Sequence, residues 1–170
     1  MKTRPALLED ALPIAEVHIA SWRVAYAGLL APKHLSSLSV EDRARKWRET
    51  LLANKSSTLV AEFNGRIVGF ASFGKCRDEG APQHRGEIWA LYAAPEAWGQ
   101  GHGRALMAHA ATDLRSAGFQ ETSLWVLANN QRGIRFYASC GYAKVEGTNK
   151  LFELGGVQVE EVCYLRQNDA

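Results

Sequence analysis

The segment that decides how the chain is arranged is GEIWALYAAPEAWGQGHGR, residues Gly86–Arg104. Glu87–Ala93 is apolar and aromatic, which is typical of a buried strand, and Pro95 ends that strand. Three alternating glycines then lead into a helical pattern: Gly99, Gly101 and Gly103. The first N–H groups of a helix lack internal partners, and the helix dipole favours negative charge there. The segment therefore predicts a phosphate-bearing ligand near residues 101–104.

Composition limits the classes of protein that the chain can belong to. The 170 residues carry 20 Lys and Arg against 18 Asp and Glu, a net charge of +2. That charge is too small to indicate nucleic acid as a partner. Hydrophobic residues make up 46%, which is ordinary for a globular protein. We expect a single domain over residues 1–170, with enough sequence to bury a core.

The targeting, cysteine and histidine patterns argue against a signal peptide, a membrane span, disulfides and a metal site. The N-terminus, MKTRPALLED, has no apolar signal core, and no apolar run approaches membrane-spanning length. We therefore expect a cytoplasmic protein without a membrane partner. Cys76, Cys140 and Cys163 are odd in number and widely separated, which favours reduced, buried thiols. The five histidines show no ligand spacing, so we expect no metal.

The rest of the sequence predicts strands and helices in a mixed order. Predicted strands are Thr3–Leu8, Thr58–Phe63, Arg66–Phe73, Thr122–Leu127, Tyr142–Val145 and Val157–Leu165. Predicted helices run from Asp10 as N-cap to about residue 26, onward from Ser39, over 101–117 and over 130–140. Asn64-Gly65 predicts a hairpin, and a turn near Gly155-Gly156 joins the last two strands. The order is β, α, α, β, β, β, α, β, α, β, β, a mixed sheet with helices on its faces.

The glycine loop fits neither of two common nucleotide-binding patterns. Counting from Gly99, the sixth position is Arg104, so the GxxxxGK[ST] pattern fails. A dinucleotide fingerprint needs GxGxxG and an acidic residue after the next strand, whereas Glu121 precedes that strand. A third pattern does match. It combines Trp98-Gly-Gln-Gly-His-Gly103 with Asn130-Gln-Arg-Gly-Ile-Arg-Phe-Tyr137-Ala-Ser-Cys-Gly-Tyr142 downstream.

These two motifs, in this order and separation, resemble the GNAT superfamily of acyl-CoA-dependent N-acetyltransferases. The resemblance is strong over residues 86–142 and weak before residue 57. It implies an α+β fold with a mostly antiparallel central sheet, one splayed parallel strand pair and helices on both faces. Two positions depart from the usual pattern: Trp98 replaces Gln or Arg, and Gly133 replaces Ala.

The resemblance implies acetyl-CoA as co-substrate and no metal. The pantetheine arm is expected at the end of the strand, on Leu91, Tyr92 and Ala93. The remaining residues expected to bind the donor are Trp98, Gly99, Gln100, Gly101, His102, Gly103, Arg104, Asn130 and Tyr137. Glycines let the backbone approach phosphate oxygens, and Arg104 either adds a charged contact or is simply solvated. His102 either touches phosphate or lies at the surface.

Two residues are candidates for proton transfer. The resemblance implies that Tyr137 protonates the departing CoA thiolate and that Asn130 bonds the cofactor arm; otherwise Tyr137 is a core aromatic. The two residues are seven apart, which places both on one helix face. Glu87 is the candidate base, because an ammonium must lose a proton before it attacks. Strand alternation predicts that Glu87, Trp89, Leu91 and Ala93 share one face; the alternative is a strand-end Glu paired with Arg85 or solvent.

The acceptor site is the least defined part of the prediction. Trp22, Tyr26 and Trp89 are candidates for its walls, although they could equally be core aromatics. The function expected is transfer of an acetyl group from acetyl-CoA to a primary amine by direct attack in a ternary complex. The amine could belong to a protein, an aminoglycoside, a polyamine or an amino acid. A non-catalytic acyl-CoA-binding or sensor module is the alternative, and a homodimer is possible.

Overall fold

A computed structural model describes residues 2–168, which form an eight-stranded sheet with helices on both faces. The strands are β1 (Lys2–Pro5), β2 (Ser57–Phe63), β3 (Arg66–Lys75), β4 (Arg85–Ala93), β5 (Glu121–Leu127), β6 (Ala143–Lys144), β7 (Lys150–Leu154) and β8 (Val157–Gln167). The helices are α1 (Ala11–Ala25), α2 (Pro32–Ser37), α3 (Val40–Ala53), α4 (His102–Ser116) and α5 (Gln131–Ser139). Short 3-10 turns at Leu8–Asp10 and Pro95–Ala97 precede α1 and the glycine loop.

The sheet is mostly antiparallel. Its strand order is β1-β2-β3-β4-β5-β8-β6, and β7 also pairs with β8. Only the neighbours β4 and β5 run parallel. This is the α+β architecture, with one parallel pair, that the motif resemblance implies, and the structure confirms it.

Two hydrophobic clusters fix the helices to the two faces. On one face α1 and α3 cover the sheet, with Ile14, Trp47 and Phe70 fully or almost fully buried between them. On the other face α4 packs through Leu106 and Leu114, and α5 joins the same cluster. Because both faces are covered, the central strands bury side chains on both sides.

The Ser39 cap and the Asn64-Gly65 turn form as predicted, whereas Asp10 plays a different part. Ser39 caps α3 by accepting a hydrogen bond from the Asp42 N–H at 3.1 Å. Asn64 and Gly65 both have positive φ in the β2–β3 hairpin. Asp10 precedes α1 but does not cap it. Its carboxylate instead accepts from the Leu7 N–H and from the Arg4 guanidinium.

Two elements were not predicted. The first is the short helix α2, in whose first turn Pro32 lies, a position where proline is tolerated. Strand β7 was missed, and Gly155-Gly156 turns between β7 and β8. The prediction that this turn directly joins Tyr142–Val145 to the last strand is therefore wrong. The strand at that place, β6, is only two residues long and pairs elsewhere on β8.

Within residues 2–168, none of the helices has the length and apolar character needed to cross a bilayer. All three cysteines are free thiols. Cys76 and Cys163 are buried as predicted, whereas Cys140 is half-buried.

Candidate active site

Strands β4 and β5 are neighbours only at their beginnings. Their pairing covers Arg85–Ile88 on β4 and Glu121–Leu124 on β5. Beyond that point β4 pairs only with β3, and β5 pairs only with β8. Residues 89–93 therefore turn one edge of their backbone toward an opening in the sheet. Unpaired peptide groups at such an edge are free to hydrogen-bond to a ligand.

A bulge in β4 changes which side chains share a face. The β3–β4 register skips one residue at Trp89. Ile88 before it and Leu91 after it both pack toward α4, although strict alternation would place them on opposite faces. Glu87 therefore lies on the face opposite Leu91. The prediction that Glu87, Trp89, Leu91 and Ala93 share a face is wrong, because the bulge shifts the alternation by one residue.

A cavity of about 690 Å³ occupies the opening between β4 and β5. One end, the loop end, is lined by Trp98, Gly99, Gly101, His102, Gly103 and Arg104. The other end, the hairpin end, is lined by Arg77, Asp78, Trp125, Lys150 and Glu161. The end of β4 runs between them and contributes Leu91, Tyr92 and Ala93. A cavity of this volume suits a small-molecule ligand.

Glycine has two different roles at the loop end. Gly99 and Gly101 have φ of 75° and 87°, the left-handed region that favours glycine. Gly103 is required for packing instead, since a Cβ there would lie 3.3 Å from the Phe136 ring. The loop thus presents the N-terminus of the 15-residue helix α4 to the cavity. Oriented N–H groups of this kind bind anions.

Trp98, the unusual first residue of the loop, is held from two sides. Its indole N–H donates to the carbonyl of Ala93 at 2.8 Å. The Arg132 guanidinium lies 3.8 Å from the ring centroid. Trp98 therefore joins β4, the loop and α5, and it binds the carbonyl of Ala93, one of the three residues on which the pantetheine arm is expected.

The other polar residues of the loop differ in exposure. Gln100 does not line the cavity; its amide donates to the Glu96 carbonyl at 2.7 Å. His102 lines the cavity and is 3% exposed, which excludes the surface position, one of its two predicted alternatives. Neither of its ring nitrogens has a hydrogen-bond partner among residues 2–168. Arg104 is exposed and donates to the Ser139 carbonyl and hydroxyl, which connects α4 to α5.

Helix α5 brings Asn130 and Tyr137 to the cavity. Asn130 is the N-cap, one residue before the helix, and its side-chain oxygen accepts from the Gly133 N–H at 2.9 Å. The small residue at 133 is needed there, because a Cβ would lie 2.8 Å from the Asn130 amide nitrogen. Burial, together with the nearby Tyr92 and Tyr142, raises the pKa of Tyr137. Tyr137 therefore stays protonated at neutral pH.

Glu87 lines the cavity but is already bound. Its carboxylate is 2% exposed, and it accepts from the backbone N–H of Arg77 at 2.8 Å and from the Arg77 guanidinium at 2.5 Å. Arg77 also lies over the Trp89 ring, 4.7 Å from its centroid. Neither partner that we expected is used, since Arg85 pairs with Glu121.

An aromatic group lies where α1 meets the cavity, beside Ser21 and Ala25 of α1, which also line it. The hydroxyl of Tyr26 lies 3.3 Å from that of Tyr92, and Trp22 packs edge-on against Tyr26 at 5.1 Å. Of the three residues predicted as acceptor-site walls, Tyr26 and Trp89 line the cavity, whereas Trp22 does not. His18 stacks on Tyr92 at 4.8 Å, and burial lowers its pKa to about 3.

The hairpin end was missed in the sequence. Trp125 donates to Asp78 at 2.9 Å, and Lys150 pairs with the same carboxylate at 2.6 Å. Glu161 reaches the cavity from β8. One signal was present: alternation along Val157–Leu165 places Glu161 on the same face as Val159 and Cys163, a carboxylate among buried apolar residues.

The splayed parallel strands, the glycine loop at a helix N-terminus and the tyrosine of α5 together define the acetyltransferase class that the motifs resemble. A sequence profile described as "Acetyltransferase (GNAT) family" matches residues 20–142. The chain belongs to this family and is an N-acetyltransferase, and the family takes its acetyl group from acetyl-CoA.

Individual relatives agree with this assignment. The chain is 37% identical over 159 residues to the uncharacterised N-acetyltransferase YuaI of Bacillus subtilis strain 168, covering 94% of this chain and 88% of YuaI. An N-acetyltransferase structure from Staphylococcus aureus Mu50 has a TM-score of 0.78 at 20% identity, covering 99% and 98% of the two chains. The structure of yncA from Salmonella typhimurium with its cofactor acetyl-CoA has a TM-score of 0.74 at 23% identity, covering 100% and 95%. These two structures share the fold.

Proposed function

We propose that the enzyme transfers the acetyl group of acetyl-CoA directly to a primary amine, with both substrates bound in the cavity between β4 and β5. The observation that carries this proposal is the continuity of the cavity. It connects an anion-binding helix N-terminus at the loop end to a polar, aromatic hairpin end, past the open edge of β4. The proposed roles of individual residues follow from their positions along it.

The loop end suits the diphosphate of the donor. Gly99 and Gly101 expose backbone N–H groups at the N-terminus of α4, and Arg104 lies at the same mouth. The open edge of Leu91–Ala93 suits the amide groups of the pantetheine arm. A backbone N–H near Leu91 or Tyr92 would then polarise the thioester carbonyl and stabilise negative charge on its oxygen.

Tyr137 is proposed as the proton donor to the leaving thiolate. Its raised pKa keeps the phenol protonated, but it also makes the phenol a weaker acid than a thiol of pKa about 8.5. Proton transfer is therefore favourable only if Tyr137 regains a proton in the same step. The nitrogen of the newly formed amide must lose a proton, so it can supply one.

Glu87 fits an anchoring role better than that of a free base. Both of its oxygens accept hydrogen bonds from Arg77, and its side chain is buried. We propose that this pair holds the segment after β3 against β4 and so shapes the hairpin end. The role of Glu87 as a base stays a prediction.

Replacing Tyr137 with phenylalanine tests the reaction type. Tyr137→Phe should lower kcat about tenfold to a thousandfold, while the affinity for acetyl-CoA changes little, because only proton donation is lost. The measurement is steady-state release of CoA with a panel of primary amines, beside calorimetric titration of acetyl-CoA. The control is Tyr142→Phe, since Tyr142 is a buried neighbour, with ring centroids 6.3 Å apart, and does not line the cavity.

Two results would count against the proposal in different ways. An unchanged kcat in Tyr137→Phe removes that residue from the mechanism. Tight binding of acetyl-CoA by the wild-type enzyme without CoA release for any amine would favour the alternative, a non-catalytic acyl-CoA sensor.

A further inference from the structure

Glu161 is a half-buried carboxylate at the hairpin end of the cavity. It lies on β8 in register with Leu127 of β5 on one side and with Lys150 of β7 on the other. This position is across the opening in the sheet from the end of β4. Strand pairing on both sides holds the backbone of Glu161 in place, so the Cα atom that carries its side chain has a fixed position.

The charges around Glu161 are already paired, but Glu161 is not. Arg77 is bound to Glu87, and Lys150 is bound to Asp78. Among residues 2–168, no donor hydrogen-bonds to the Glu161 carboxylate, and Lys150, Arg77 and Glu87 influence it only through space. The charged side chains at this end therefore sum to one uncompensated negative charge, located on Glu161.

The surfaces beside Glu161 suit an organic cation. Trp125 lines the hairpin end and Trp89 lines the cavity beside Arg77, and each ring has a cationic side chain over it. Aromatic faces attract ammonium groups as well as alkyl stems. Within residues 2–168, the cations that line the hairpin end are Arg77 and Lys150, and both are paired, so neither is free to hold a carboxylate of the substrate.

We propose that Glu161 binds the ammonium group of the acceptor and removes its first proton, and that the preferred acceptor is an alkyl amine without a carboxylate nearby. This inference rests on the proposed function. The proton passes from the ammonium to the Glu161 carboxylate, which leaves a neutral amine. The amine lone pair forms the C–N bond to the acetyl carbon, and the C–S bond breaks. The thiolate takes a proton from Tyr137, and the second proton on nitrogen restores Tyr137.

The surroundings of Glu161 are consistent with this role. Burial raises the pKa of the carboxyl group, Lys150 and Arg77 lower it, and Glu87 raises it; the net change is upward. A carboxylate with a raised pKa is a better proton acceptor at neutral pH. The titratable or charged groups that face it come from the segment after β3, from β4, from β7 and from the end of α1: Arg77, Asp78, Glu87, Tyr92, Lys150 and Tyr26.

The test compares Glu161→Gln with Glu153→Gln. Glu153 is an exposed carboxylate in the same β7–β8 hairpin, opposite Gln158 and therefore on the other face of the sheet. Glu161→Gln should raise the KM for 1,4-diaminobutane about tenfold to a hundredfold, because a charge-assisted contact is lost. Wild-type enzyme should also prefer 1,4-diaminobutane to 4-aminobutanoate, a molecule of similar length with a carboxylate. Glu161→Asp should recover part of the activity.

The pH profile separates a role in proton transfer from a structural role. The acid limb of kcat/KM reports ionisation of Glu161, so activity falls as pH drops below its raised pKa, and Glu161→Gln should remove that limb. Unchanged affinity for acetyl-CoA shows that the variant is folded. A Glu161→Gln variant that matches Glu153→Gln in KM and pH profile would overturn the inference.

Failure of the proposed function is distinguishable from failure of this inference. If wild-type enzyme binds acetyl-CoA but acetylates no amine, the proposed function fails. Calorimetric titration of 1,4-diaminobutane into the enzyme saturated with CoA still decides the binding role of Glu161. Wild-type binding that Glu161→Gln weakens at least tenfold supports it, and equal affinity of the two proteins overturns it.

Discussion

At the scale of single residues, the chemistry open to the cavity depends on which of its charged side chains are already paired. Glu87 is in contact with the cavity and was the predicted base, yet Arg77 binds both of its oxygens. Glu161 was not predicted at all, and its carboxylate has no hydrogen-bond donor within the described chain. A sequence reveals where carboxylates occur along a strand. Their hydrogen-bond partners depend on loops that come from elsewhere in the chain.

The Glu87–Arg77 pair makes a measurable prediction. Glu87→Gln, Arg77→Gln and the double variant should give a coupling free energy of unfolding of about 1 kcal/mol in a double-mutant cycle. The value is small for a buried carboxylate because the Arg77 side chain is 58% exposed and water screens the pair. Urea denaturation at pH 7 measures it, and Glu153→Gln is the control for loss of a solvent-exposed carboxylate.

The same variants decide between an anchor and a base. As an anchor, Glu87→Gln should leave the acid limb of kcat/KM in place, and Arg77→Gln should change the KM for the amine in the same direction. Loss of the acid limb in Glu87→Gln, without a change in stability, would instead restore Glu87 as the base.

At the scale of elements, the contact between α4 and α5 keeps the loop end of the cavity together. Gly103 in the first turn of α4 lies against the Phe136 ring of α5, and Arg104 donates to Ser139. Gly103 was predicted to let phosphate approach the backbone. The structure shows a further reason for glycine at this position, which is the close approach of two helices.

Gly103→Ala should therefore destabilise the protein. The added Cβ would lie 3.3 Å from two atoms of the Phe136 ring, so the ring or its helix must shift by a few tenths of an ångström. Overpacking of this kind costs about 1–3 kcal/mol. Thermal unfolding of Gly103→Ala in the wild-type background and in Phe136→Leu tests the cause. The smaller leucine should relieve most of the loss, and an equal loss in both backgrounds would exclude the clash as its source.

Much of the element order could be predicted because its signals are local. Asn64-Gly65 needs only its own backbone conformation to turn a hairpin, and the glycine loop with the Asn130–Tyr137 motif is read directly from spacing. The bulge at Trp89 has no such signal, since it exists only in the register between β3 and β4. That single residue reversed the predicted relation between Glu87 and Leu91.

Strand β7 shows another limit of prediction. Leu151 and Phe152 are exposed on an outer strand that pairs only with β8, so burial imposes no clear alternation on its sequence. Because β7 was missed, Lys150 had no predicted position near Asp78, and the hairpin end of the cavity could not be assembled from the sequence.

At the scale of the whole molecule, buried ionisable groups make stability depend on pH. Asp10 is 5% exposed; burial alone would raise its pKa, but hydrogen bonds from Arg4 and Leu7 give a net decrease. A lowered carboxyl pKa contributes stability that is present above the unfolded pKa of 3.8 and lost as pH falls through the folded value. This loss of stability therefore occurs only in strongly acidic solution.

His18 acts in a different pH window. It is 7% exposed and accepts a hydrogen bond from the Trp47 indole at 3.1 Å, and burial, followed by the nearby Arg43, lowers its pKa from 6.5 to about 3. Between these values the unfolded chain binds a proton that the folded chain does not. Stability should therefore fall with decreasing pH by up to about 1.4 kcal/mol per pH unit from this residue alone.

His18→Gln should remove most of this slope. Glutamine does not titrate, and it retains an oxygen that can accept from Trp47. Between pH 6.5 and 4, unfolding of the variant should therefore take up about one proton fewer than unfolding of the wild type, which makes its unfolding free energy less dependent on pH. Urea denaturation at half-unit steps of pH measures the slope. His84→Gln serves as the control, because the His84 side chain is 48% exposed. Equal slopes for wild type and His18→Gln would mean that His18 of the folded enzyme takes up its proton over the same pH range as in the unfolded chain, in contact with the aromatic group beside the cavity. The stacking of His18 on Tyr92 would then place a positive charge next to the cavity, and amine binding should weaken on acidification even in the absence of Glu161.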